Sequence, residues 1–154
     1  MSVPVPDLPS PLRTRAVLVA FTWGVVALLS QFVYVSVLAP QLPTAYPLHL
    51  YTRPFGADHL WPKETIITIG WVIAVAIAAI ALLSGVALLL RLQQGLFGVF
   101  LVCVAAPIAV AFQLVNSVVV IHGSPEVLPP LAILGALVLG LASFVGQKFF
   151  RSTR

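Results

Sequence analysis

Four stretches of this sequence contain no aspartate, glutamate, lysine or arginine, and nothing else in it constrains the fold so strongly. They cover residues 16–38, 65–90, 96–121 and 127–146. As α-helices they would be about 30–39 Å long, against a bilayer hydrocarbon core of about 30 Å. Inside a bilayer every backbone amide and carbonyl must find its partner within the protein, so such segments are helices and not an open sheet. Composition agrees. Of the 154 residues 60% are hydrophobic and 8% charged, with a mean hydropathy of +1.10. A soluble domain carries about 25% charged residues, so this chain lacks the polar groups to coat itself in water. The expected fold is an all-α membrane protein, a bundle of four transmembrane helices.

The eight lysines and arginines are distributed unevenly. Arg13 and Arg15 precede the first apolar stretch, Arg91 lies in the turn 91–95, and Lys148, Arg151 and Arg154 end the chain. The loops 39–64 and 122–126, on the opposite side, carry only Arg53 and Lys63. Basic residues are retained on the cytoplasmic face, so both termini are expected inside the cell and the long loop outside. The net charge of +4 comes from these scattered residues, with no basic stripe to suit a nucleic acid. The first apolar stretch exceeds the 7–15 residues of a signal-peptide core and is read as a retained helix. The single cysteine, Cys103, lies within the third apolar stretch and reads as a buried thiol.

Residues 1–15 hold four prolines and are expected to be an extended, flexible cytoplasmic arm, with residues 147–154 a basic cytoplasmic tail. The four-helix domain between them, residues 16–146, is interrupted chiefly by the loop 39–64. That loop contains five of the chain's 13 prolines, together with His49, Arg53, Asp58, His59, Trp61, Lys63 and Glu64. Proline removes backbone freedom, so a loop this long and this rich in it is expected to be stiff, a cap over the bundle.

Polar groups inside the spans are few. Gln31, Tyr34 and Ser36 lie in the first, and Gln113, Asn116 and Ser117 share one face of the third. In the deduced orientation all sit at similar depth. Since none is ionisable, they suit hydrogen bonds between helices first, and a polar pocket beneath the loop second. Pro107 should kink the third helix beside them. Small residues at Ala74, Ala78, Ala81 and Gly85, and at Ala132, Ala136 and Gly140, form faces along which helices can approach closely. Candidate ligand-binding residues are His49, Asp58, Trp61, Gln113 and Asn116. For a metal the only candidates are His49, His59, His122 and Glu126, residue types that ligate zinc; no HxxxH, HExxH or CxxC spacing accompanies them, and no metal or other cofactor is expected. No nucleophile–base pair or phosphate loop occurs, so no enzymatic activity is expected.

The segment Leu42-Pro43-Thr44-Ala45-Tyr46-Pro47-Leu48-His49, between the first two spans, resembles the LPxxxPxH element of the domain that opens SdpI-type membrane proteins, bacterial immunity and signalling proteins. Gly56, Asp58, Trp61 and Lys63 look like the Gly, Asp, Trp and basic residue that follow it in that family, whereas Leu50-Tyr51 stands where the family has Phe-Asn. The resemblance covers residues 16–71. It implies a multi-pass protein of the bacterial plasma membrane that binds or senses an extracellular ligand, such as a peptide, or protects the membrane from one. The alternative is an accessory subunit of a larger membrane protein complex.

Overall fold

The computed structural model describes residues 10–46, 60–122 and 128–149. It contains four α-helices: α1 (Ser10–Val33), α2 (Lys63–Leu89), α3 (Gly95–His122) and α4 (Leu128–Phe149). Three of them are long and apolar enough to cross a membrane, the first continuing without a break to Gln41. The fourth carries a shorter apolar stretch, Leu131–Gly146. Helix α2 packs on α1 and α3, while α4 packs on α3 and more lightly on α1.

The interior and the surface are composed in the reverse of a soluble protein. Buried positions are mostly small: Ala16, Ala20, Ala27, Ala74, Ala81 and Ala106 are each at most 3% exposed. Large aliphatics face outward, with Leu18, Val72 and Leu83 at 65%, 64% and 68% exposure. In water such a surface would aggregate, but against lipid tails it costs nothing, and small residues at helix contacts let the backbones approach. The small-residue faces read from the sequence are used in this way within the monomer. Ala78 and Ala81 meet α1 at Gly24, and Gly140 meets α3.

The contact between α3 and α4 has a local cause. Pro107 is buried in α3 and has no amide to donate to the carbonyl of Cys103, one turn earlier. Gly140 of α4 lies directly against that carbonyl, so close that a Cβ there would collide with the oxygen. The exposed polar edge that proline creates is thus covered by a glycine backbone, a site for a Cα–H···O contact. Helix α3 stays helical through Pro107. Nearby, the rings of Phe100 and Phe144 meet edge to face at 5.4 Å, and Trp23 Nε1 of α1 donates to Ser143 Oγ of α4 at 3.1 Å.

Helix ends depart from the sequence reading near both ends of the chain, and α4 runs on to Phe149, past the expected limit at 146. Helix α1 begins at Ser10, so residues 10–15, expected to belong to the extended arm, are helical. Pro11 falls in the first turn, where the amide it lacks has no intrahelical acceptor. Arg13 and Arg15 end the apolar stretch but not the helix. Pro129 and Pro130 occupy the first turn of α4 for the same reason.

The turn between α2 and α3 is closed by a pair of nested bonds, Leu92 N–H to the Ala87 carbonyl at 2.8 Å and Arg91 N–H to the Leu88 carbonyl at 3.1 Å. This is the Schellman arrangement, and it puts Arg91 at φ 65°, a left-handed conformation that favours glycine. Arg91→Gly should therefore raise the unfolding free energy in detergent by about 0.5–1 kcal/mol. A lower thermal midpoint for this variant would contradict the reading.

At the opposite end α1 does not stop cleanly. Tyr34–Leu38 widens into a π-turn in which Ala39 N–H donates to the Tyr34 carbonyl, and a 3₁₀ turn, Ala39–Gln41, follows with Pro40 in it. Leu42 then tucks back with Tyr34 and Ala39 into a small apolar cluster supported by Ile66, Ile67, Val120 and Ile121. Two short strands, β1 (Ala45–Tyr46) and β2 (Trp61–Pro62), pair antiparallel in the register Ala45 to Pro62 and Tyr46 to Trp61. Lys63 fixes this clasp from below. Its amide donates to the Thr44 carbonyl at 2.8 Å, and its Nζ lies 3.4 Å from the Leu42 carbonyl. The two ends of the long loop are thus tied together on top of the bundle. The loop's middle, including His49, Asp58 and His59, lies outside the described residues, as does Glu126.

Candidate functional site: a polar-headed cleft beneath the loop

The polar side chains of α1 and α3 converge one to two turns below the clasp. Gln31 is fully buried although nothing charged surrounds it, and its amide is accounted for on both sides. Nε2 donates to the Ile67 carbonyl of α2 at 3.1 Å, and Oε1 accepts from Gln113 Nε2 of α3. Gln113 Oε1 lies 3.4 Å from the Ser30 hydroxyl, which also donates to the Ala27 carbonyl at 2.8 Å. Ser117 Oγ donates to the Gln113 carbonyl at 2.7 Å. One glutamine pair therefore joins three helices. Buried amides are expensive unless bonded, and among the described residues no buried side-chain polar atom lacks a partner.

Gly70 makes room for this network. The Gln31 amide lies over α2 at that point, and a Cβ on residue 70 would come within 2.8 Å of Nε2 and 2.9 Å of Cδ. Any larger residue would push the amide off Ile67. The glycine is thus required by a close approach and not by its backbone angles.

Beside the network runs a cleft of about 450 Å³. Its floor is the α3 face that includes Ala105, Ala109 and Phe112; Ile66, Ile69 and Ile73 of α2 form one wall, and Ile133 of α4 stands on the other. It is apolar except at the loop end, where Tyr34, Gln113 and Asn116 border it. The volume falls within the range of about 300–1,000 Å³ in which small-molecule sites lie. No acidic or basic side chain lines it.

Of the candidates read from the sequence, Gln113 and Asn116 are brought together here. Trp61 is half-buried on β2 and does not border the cleft. His122 is exposed at the end of α3, and among the described residues no group of three metal-ligating side chains forms. Ser36 faces outward, away from the network. The sequence reading did not single out Gly70, Ser30 or the isoleucine walls. A glycine between Ile66 and Ile73, three residues on from Ile67, was the available sign.

These features define a helical membrane protein with an internal polar network and a lateral apolar cleft. Comparison with protein-family models, with curated proteins and with solved structures returns no match.

Proposed function

We propose that this chain is a non-enzymatic integral membrane protein that binds a ligand in the cleft between α2 and α4. The observation that carries this reading is the cleft itself, an apolar trough of about 450 Å³ with polar side chains gathered at one end. A gap between helices that served only packing would be closed by side chains, as it is between α1 and α2. The π-turn at Tyr34 adds support, since such turns recur at functional sites.

In this reading α4 is a fourth span, both termini are cytoplasmic and the clasped loop faces outward, as the basic residues indicate. The LPxxxPxH resemblance then suggests an SdpI-like role in the bacterial plasma membrane, capturing or sensing a membrane-active molecule from outside. Residues His49, Asp58 and Trp61 of the loop would meet that molecule before it reaches Gln113 and Asn116. An accessory-subunit role is the second reading. It draws on α4, where a side chain added at Gly135 would find nothing within 4 Å, leaving space for another helix.

The test is native mass spectrometry of the protein purified in mild detergent, with Ala109→Phe as the cleft-filling variant. The expected result is a stoichiometric small-molecule adduct that disappears in Ala109→Phe. A stoichiometric second chain in its place would favour the accessory role, and a bare protein in both samples would contradict the ligand-binding reading.

A further inference from the structure

Helix α4 is held differently along its two halves. The second half is pinned. Trp23 Nε1 of α1 donates to Ser143 Oγ at 3.1 Å, and the rings of Phe100 and Phe144 meet edge to face. Gly140, the one buried position among the described residues of α4, lies against the Cys103 carbonyl of α3. The first half stands beside the cleft. Ile133 borders it there, with Ile69 and Ile73 of α2 on the far side. Leu131, Leu134, Val138 and Leu139 are exposed, and the space around Gly135 is open.

The boundary between the halves is built to bend. Ser143 Oγ donates to the Gly140 carbonyl at 2.7 Å, so that oxygen is shared between a hydroxyl and the helical ladder. Back-bonding of this kind bends helices, and paired glycine and serine recur at kinks. Glycine also carries no side chain to stiffen the turn. Swinging the first half costs little. Its path lies over Ala105 and Ala109 of the cleft floor, both small. Lipid tails are as apolar as isoleucine, so the bilayer neither drives Ile133 onto α2 nor holds it away.

We propose that residues 128–139 of α4 form a lateral door, hinged at Gly140 and Ser143, that swings across α3 toward Ile69 and Ile73 and narrows the cleft. The structure holds the door open. Ile133 is seven residues from the hinge, about 10 Å at 1.5 Å per residue, so a bend of about 20° carries it about 4 Å. The pinned half stays in place, as the stationary side of a hinge does. Given the ligand-binding reading above, an occupant of the cleft keeps the door from closing.

Distances between paired nitroxide labels, measured by pulsed electron spin resonance on the full chain in nanodiscs, provide the test. All variants carry Cys103→Ser. One pair, Val72→Cys with Leu131→Cys, spans α2 and the door; the other, Leu83→Cys with Val145→Cys, spans α2 and the pinned half. All four positions are exposed. The first pair is expected to show two distances about 4–5 Å apart, and the second pair one. Ala109→Phe, a wedge in the floor, should remove the shorter distance of the first pair; Ala105→Phe is the second wedge if the first does not fold. A single distance for the first pair, as narrow as that of the second, would overturn the door. Two distances for both pairs would overturn the hinge, since α4 would then move as a rod. A shorter distance that persists in both wedged variants would also overturn the closure. None of these results touches ligand binding, which stands or falls on the mass-spectrometric adduct.

Discussion

Gly140→Ala is expected to destabilise the protein by about 1–3 kcal/mol, and Gly140→Leu by enough to prevent recovery of folded protein. The first atom of any side chain at this position falls on the carbonyl oxygen of Cys103 and within 3.2 Å of Pro107 Cγ. Both are parts of a rigid helix, so nothing flexible can move aside; the helices must separate. Separation would expose the carbonyl that Pro107 leaves without its helical donor, and would break the Phe100–Phe144 contact. An internal control stands five residues earlier. Gly135 lies on the outer face of α4 with open space around it, so Gly135→Ala should be neutral or stabilising by up to about 1 kcal/mol through helix propensity. Denaturation in mixed micelles, followed by far-ultraviolet circular dichroism, reads both. Equal effects at the two glycines would contradict the packing described for α3 and α4.

The second large effect concerns the glutamine pair. Gln31→Leu keeps the volume beside Gly70 but leaves the Gln113 N–H without its acceptor in the bundle. A cost of about 1–2 kcal/mol is expected, within the range for interhelical hydrogen bonds in membranes. Gln113→Leu should cost a similar amount, since it strips Gln31 Oε1 of its donor. The double variant is expected to recover most of the loss, because removing both partners leaves no buried group unpaired. A double-mutant cycle isolates that coupling. Strict additivity would mean that the two amides do not bond, and the joining of α1, α2 and α3 through them would have to be abandoned.

The helical elements were easy to read because charge is so costly in lipid. The second and third spans, read at 65–90 and 96–121, are found as Lys63–Leu89 and Gly95–His122. The start of α1 was misplaced for a related reason. Charge marks where an apolar stretch ends, but a helix can continue past it, and Arg13 and Arg15 sit on its first turns. Gln113 and Asn116 were legible as a polar face of one helix. That Gln113 meets Gln31, and that Gln31 reaches Ile67, depends on how α1 and α2 are rotated about their axes, which no local pattern encodes. The π-turn at Tyr34 carried no sequence signal beyond Pro40 a turn later. The cleft was the least legible feature, because it is the space left where α2 and α4 fail to meet over α3.

We propose that the clasped loop and the polar end of the cleft face the exterior and that the Arg91 turn faces the cytoplasm. Single cysteines at His122 and at Gln93, each in a Cys103→Ser background, can be treated in intact cells with a thiol reagent that does not cross membranes. The account predicts modification at residue 122 in intact cells, and at residue 93 only after the membrane is opened. Modification of residue 93 from outside, with residue 122 protected, would contradict it.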